Sequence, residues 1–329
     1  MAATLGAGEL LRLVRTGIDV RAVRARTRKP FRFLLCGDPA YVAAFRTMLL
    51  AGHDDGIVPV EAAATLETID PANPPVITEE ARCIVYLARH SDLGTANFSA
   101  LTVAKLPIFA IVVDEAAQAS GPQSAPARGT WGEYVVTAIS REALAGRVFP
   151  HIIECCKGVE IAVGRNLPAL RETVAAKLTR DAANNALKVA LASAVVDHVP
   201  VFGIVLGAIA SAGDTVAITA LQMMLMLHIE SAYGKDPDLG RAWQLLPVVG
   251  GGLGWRMLAR ELSGFIPVAG IAIKGAIAYA GTIVVGEGVT FYYEHGRHMS
   301  GNQASAIYER TKNDALAFAR DLLDRFRNR

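Results

Sequence analysis

Two copies of one apolar, small-residue pattern constrain this chain more than any other feature. The run HVPVFGIVLGAIASAG, residues 198–213, returns as FIPVAGIAIKGAIAYAG, residues 265–281. Pro200 and Gly203 match Pro267 and Gly270, and Gly207 and Gly213 match Gly275 and Gly281 with one residue inserted between the anchors. Each copy reads as an apolar helix start. Small residues on a helix face let a second backbone approach closely. Gly203, Gly207, Gly213, Gly270, Gly275 and Gly281 are therefore the expected helix-packing positions.

The apolar excess belongs to this half of the chain. Hydrophobic residues make up 52% of the 329 residues, and the mean hydropathy is +0.32. That is rich for a water-exposed globular chain. A net charge of +2 gives no reason to expect a nucleic acid partner. Cys36, Cys83, Cys155 and Cys156 make a poor disulfide framework, since two of the four are adjacent, and they suit a reducing compartment. No secretory leader is expected from the N-terminal pattern.

Residues 1–30 read as a basic amphipathic helix. Leu10, Leu11, Leu13, Val14, Ile18 and Val23 recur at roughly helical spacing, and Arg12, Arg15, Arg21, Arg24 and Arg26 crowd among them. Such a helix suits an anionic membrane surface, where each basic residue contributes about 1 kcal/mol. The same pattern also suits a helix docked on its own protein with a solvated basic face.

From residue 31 the pattern changes to short β-rich runs separated by helical ones. Phe31–Gly37, Arg82–Ala88, Pro107–Val113 and Glu133–Thr137 read as strands, and Ile57–Val60 as a further short one. Tyr41–Leu50, Ser99–Lys105 and Arg141–Lys157 read as helices, with Pro39 suiting a first turn. Alternating strands and helices mean a mostly parallel sheet covered on both faces. The strand pair Arg82–Ala88 and Leu106–Val113, followed by the run Tyr134–Ser140, resembles small-GTPase-like domains of the Era type over residues 31–157.

That resemblance implies a phosphate loop after the first strand, and the loop's chemistry is missing. A phosphate cradle of the form G-x-x-x-x-G-K-[ST] uses glycine backbone, a lysine and a hydroxyl that holds magnesium. Counting from Gly37, the second glycine is Val42, the lysine is Ala43 and the hydroxyl residue is Ala44. Asp38 adds a negative charge where phosphate would lie. The guanine-reading Asn-Lys-x-Asp is replaced by residues 112–117, in which Asp114 alone remains polar at a useful place. The expectation is a degenerate GTPase-like domain over residues 31–158 with no cofactor, no catalytic residue and no GTP hydrolysis.

The second half reads as helices: Arg165–Val196, Val201–Ala212, Thr215–Tyr233, Leu239–Ser263, Ile266–Tyr293 and Asn302–Arg329. Three apolar stretches are each short or carry one ionisable group. These are Val199–Gly213, Thr215–Leu227, and Ile266–Gly286 with Lys274 inside it. Hydrophobic hairpins entering one leaflet, or two imperfect spans, fit better than a clean multi-span protein, and a water-soluble bundle with tight glycine contacts is the alternative. Pro200 through Gln222, Ala232–Gly234, and Ile266–Gly270 through Glu294 resemble the YcjF-like domain of unknown function. That family commonly lies C-terminal to Era-like GTPase domains and implies no defined reaction.

The fold expected is α/β then all-α: a mostly parallel GTPase-like sheet domain, then a helical, glycine-rich repeat domain over residues 165–329. The function expected is a non-catalytic pseudo-GTPase adaptor or membrane-remodelling scaffold on the cytoplasmic side of a membrane. Its partners would be membrane lipid, and a protein partner such as a true GTPase or a second copy. A nucleotide-responsive switch and a helical effector that inserts when triggered are the alternatives. His151 with Cys155 and Cys156, and His295 with His298, are too few for a zinc site, so no metal is expected.

Overall fold

The computed structural model describes residues 18–73, 75–90, 99–116, 121, 131–195, 214–249 and 269–327. The chain divides into two compact units. A sheet unit comprises Ala25–Lys177 with Ala232–Gly234, and a helical unit comprises Met1–Arg24, Leu178–Ser231 and Lys235–Arg329.

Among the described residues the sheet unit holds five strands: β1 (Arg32–Gly37), β2 (Leu66–Thr68), β3 (Ala81–Arg89), β4 (Ile108–Val113) and β5 (Trp131–Val136). All neighbours are parallel, in the order β2-β1-β3-β4-β5. This doubly wound order reverses between β1 and β3, the place where ligands bind beyond the strands' carboxyl ends in sheets of this kind. Side chains alternate across the pleat. Leu34, Cys36, Ile84, Tyr86 and Ile108 meet on one face with Leu101 and Leu106. Phe33, Leu35, Cys83, Val85 and Phe109, buried on the other, point the opposite way. Burial on both faces explains why these strands read as continuous apolar runs.

The helices of this unit are α1 (Val20–Thr27), whose last three residues belong here, α2 (Pro39–Leu50), α3 (Val60–Ala64), α4 (Ser99–Thr102), α5 (Arg141–Ala145), α6 (Val148–Glu154) and α7 (Glu160–Asn166). Three expectations are corrected. Ile57–Val60 is not a strand: Pro59 donates no hydrogen bond, Ile57 and Val60 are 72% and 81% exposed, and the edge strand comes later as Leu66–Thr68. Arg141–Lys157 is two helices, because Pro150 is tolerated only in the first turn of a new one. Asn166 ends α7 rather than opening a long helix. Leu167 leaves the helical region ahead of Pro168, with φ −121° and ψ 85°, a short 3-10 turn spans Pro168–Leu170, and α8 (Arg171–Val195) follows.

The helical unit packs the later part of α8 with α9 (Asp214–Ala232), α10 (Leu239–Val249), α11 (Ala269–His295) and α12 (Gly301–Arg327). Ala186, Ala190 and Ala278 form a small-residue core flanked by Ile218 and Leu221, so α8, α9 and α11 approach closely. Ala280 and Val284 of α11 pack against Ala304 and Tyr308 of α12. Among the described residues no helix is long and apolar enough to cross a membrane. The stretch Val199–Gly213 lies outside the described residues, as does the first part of Ile266–Gly286.

Candidate functional site

The reversal of strand order directs attention to the carboxyl ends of β1 and β3. Gly37 closes β1 with φ +110°, and one residue, Asp38, separates it from α2. There is no loop here to wrap a phosphate. Asp38 caps α2 instead, its Oδ1 accepting from the backbone N–H of Ala40 at 2.8 Å and of Tyr41 at 3.3 Å. A carboxylate thus sits on the N–H groups and positive dipole end that an anion would use. Its Oδ2 lies 3.7 Å from Nε of Arg89, at the end of β3, and that guanidinium lies 5.8 Å from the Tyr41 ring centre. A Cβ on Gly37 would stand 2.0 Å from the Leu87 carbonyl oxygen, so glycine serves the β1–β3 approach rather than a ligand. Val42 is buried in α2, and Ala43 and Ala44 are exposed on it, well past the helix start.

Two other polar groups along this edge are also committed to their own backbone. Asp114, after β4, accepts from the N–H of Ala116 at 3.0 Å. Ser140, after β5, accepts from the N–H of Ala143 at 3.2 Å and caps α5. Asp38, Asp114 and Ser140 follow the carboxyl ends of β1, β4 and β5, and each closes a local turn or helix.

A cleft opens at the opposite edge of the same sheet, with a volume of about 780 Å³. Arg28, Lys29, Arg165 and Arg171 line it together with His53, Asp54, Ile57, Pro59, Glu61 and Glu80. Arg171 is held by neutral acceptors: Nε donates to the Gly164 carbonyl at 3.3 Å, and Nη1 to the Gly52 carbonyl at 3.2 Å. Carbonyls orient a guanidinium without cancelling its charge. Burial lowers its pKa, with the positive charges of Arg165 and Arg141 adding to the effect and Asp54 opposing. The His53 ring contacts the Asn166 carbonyl through Nε2 at 3.1 Å, so Nε2 carries the proton, and burial holds this imidazole below its ordinary pKa. Arg32 is bridged by Glu80 at 3.0 Å and Glu67 at 3.1 Å. Glu80 is thereby engaged on the cleft wall. The cleft joins residues near 30, 53, 80, 165 and 234, and no local motif marks it.

His151 meets no metal-binding partners. Its Nδ1 lies 2.5 Å from the hydroxyl of Tyr134, which burial pushes up to about 12. Burial likewise raises the Cys155 thiol to about 11, and Cys83 and Cys156 well above their usual value. Raised in this way, these thiols are poor nucleophiles near neutral pH. Among the described residues no group of three His, Cys, Asp or Glu is placed to hold a metal ion.

In the helical unit, Gly275 faces Leu187 and Leu191 of α8, with an added Cβ falling 2.7 and 3.0 Å from their terminal carbons. Gly286, outside the repeat, faces Thr179 more closely still. Gly281 is buried in α11, and Gly270 lies near its start. Gly203, Gly207 and Gly213 lie outside the described residues, as do Arg12 and Arg15. Arg21, Arg24 and Arg26 are exposed on α1. Glu230 was not signalled by any motif. This carboxylate of α9 is 2% exposed, pairs with Arg241 of α10 and accepts from the Asp238 N–H at 3.1 Å.

Comparison with protein families, curated proteins and solved structures finds no match to this chain.

Proposed function

We propose that the chain is a non-catalytic, membrane-associated adaptor, in which a GTPase-like sheet unit has given up nucleotide chemistry and serves as a binding platform. One observation carries this reading. The carboxylate of Asp38 caps the helix start that a nucleotide's phosphates would occupy, across a one-residue connection. Phosphoryl transfer depends almost wholly on positioning and charge stabilisation of the phosphates. At this edge the first side chain met is an anion, and Val42, Ala43 and Ala44 supply neither lysine nor hydroxyl. Exposed arginines on α1, beside buried Ile18 and Val23, favour an anionic surface as what the protein meets. Attachment is through a surface of the protein, in keeping with α9 and α11 packing against neighbouring helices of their own unit.

Thermal unfolding of the full chain with millimolar GTP or GDP and magnesium tests the loss of nucleotide binding. An unchanged melting temperature is expected. Ligand at 100 times its dissociation constant stabilises by about 2.7 kcal/mol, enough to shift melting by several degrees. Such a shift with either nucleotide overturns the adaptor reading in favour of a nucleotide-responsive switch.

A further inference from the structure

The segments that lead into β2, β3 and β4 carry an uncommon surface. Ile57, Val58, Val60, Val76, Ile77 and Val103 are the large exposed hydrophobic residues among those described, with exposures of 72%, 40%, 81%, 86%, 40% and 66%. All six fall in these segments, which enter the sheet at its N-terminal edge. Scattered singly, such residues need no explanation. Here all six lie in segments that lead into strands at the edge that also holds the cleft. Ile57 lines that cleft, and Val76 and Ile77 lie four and three residues before Glu80 on its wall.

The charges beside them are net positive. Five basic residues, Arg28, Lys29, Arg32, Arg165 and Arg171, and three acidic ones, Asp54, Glu61 and Glu80, line the cleft, an excess of two positive charges, with Arg32 bridged by Glu67 and Glu80. The carbonyls of Gly52 and Gly164 orient the Arg171 guanidinium, and Asp54 is the acidic neighbour that favours its charged form. Arg28 and Lys29 are exposed at the mouth, in the turn after α1. A concave site with a basic excess, lined by exposed Ile57 and reached by segments that carry further exposed aliphatic residues, matches the two layers of a bilayer interface, phosphate above and hydrocarbon below. A peptide groove would shelter its apolar side chains between walls. Val60 and Val76, more than four-fifths exposed, have no wall.

We propose that the N-terminal edge of the sheet is the face that docks on an anionic bilayer, with the cleft receiving a lipid phosphate headgroup and Ile57, Val60 and Val76 entering the acyl boundary. This rests on the membrane-associated reading above and assigns the contact to the sheet unit. The docking is peripheral, reversible and weakened by salt, because exposed charges are screened within about 10 Å at 0.1 M ionic strength.

The test is co-sedimentation of the full chain with vesicles of phosphatidylcholine alone, and of phosphatidylcholine and phosphatidylserine at three to one. Two double variants accompany it, Arg28→Gln with Lys29→Gln, and Ile57→Ser with Val60→Ser. All four positions are exposed, so circular dichroism should match wild type. Wild type should bind the anionic vesicles and lose binding as salt rises. The charge variant should bind about 30-fold more weakly, from ~1 kcal/mol for each basic residue. The aliphatic variant should lose more than about tenfold. If wild type binds and both variants bind equally well, this face is not the docking face, while membrane association stands. If wild type binds neither vesicle, the membrane reading falls as well. If inorganic phosphate raises the melting temperature in wild type but not in the charge variant, and vesicles do not bind, the cleft serves a soluble phosphate compound and the lipid assignment is overturned.

Discussion

Replacing Gly286 by alanine sets two sizeable effects against each other. In a helix interior the change gains about 0.8–1.0 kcal/mol of helix propensity. Packing opposes it. The new Cβ would lie 2.2 Å from Oγ1, 2.4 Å from Cγ2 and 2.7 Å from Cβ of Thr179. Carbon atoms in contact sit at roughly 3.5–4.0 Å. Rotating Thr179 exchanges one branch for the other, and its own Cβ does not move with χ1. The helices α8 and α11 must therefore separate by about 1 Å, loosening Leu187 and Leu191 from Gly275 as well. Overpacking of this kind costs about 1–3 kcal/mol. Contacts of 2.2–2.7 Å belong to the upper half of that range, about 2–3 kcal/mol, so the net expectation is a loss of about 1–2 kcal/mol. Urea unfolding followed by circular dichroism measures it, with Gly275→Ala as the companion variant. There the clash is with the ends of leucine side chains, which can rotate aside, so propensity and strain should nearly cancel. A Gly286→Ala variant as stable as wild type, or no different from Gly275→Ala, refutes the argument that Thr179 sets the helix approach.

Two further outcomes follow from single side chains. Gly37→Ala meets both a φ of +110° and the Leu87 backbone at 2.0 Å, where the carboxyl end of β1 pairs with β3, so it should cost more than about 4 kcal/mol and leave no folded sheet unit by circular dichroism. Burial raises the Glu287 carboxyl above its ordinary value, with Arg310 pulling the other way. The folded chain therefore holds this proton more tightly than the unfolded chain. Its contribution is present below the ordinary Glu range near 4.3 and is lost as pH rises through the raised folded value. Glu287→Gln should raise the urea midpoint at pH 7 and converge on wild type toward pH 4; a constant difference across that range removes burial as the cause.

Much of the architecture was legible in the sequence because its causes are local. Phe33–Cys36, Ile84–Leu87 and Ile108–Val113 are apolar on both faces, a pattern that buried parallel strands produce and amphipathic helices do not. The short edge strand Leu66–Thr68 was not legible. Three residues make no periodicity, and the β-branched run at Ile57–Val60 imitates a strand while lying on the surface. Helix ends went astray at Pro150 and Pro168, where one ring outweighs the propensity of the residues around it.

The absence of a phosphate-loop lysine and hydroxyl at Ala43 and Ala44 is a property of the sequence alone, since no fold can supply groups the residues lack. What Asp38 does instead was decided by the tertiary structure, because the one-residue connection from β1 to α2 depends on where the β1–β3 pairing ends. The cleft is wholly a product of folding. Gly52 and Arg171 are 119 positions apart, and only the return of the chain past the sheet edge brings a carbonyl to that guanidinium. Periodicity reports which residues face inward along one element. It carries no record of which distant charges will share a wall, and the site lies in that second kind of information.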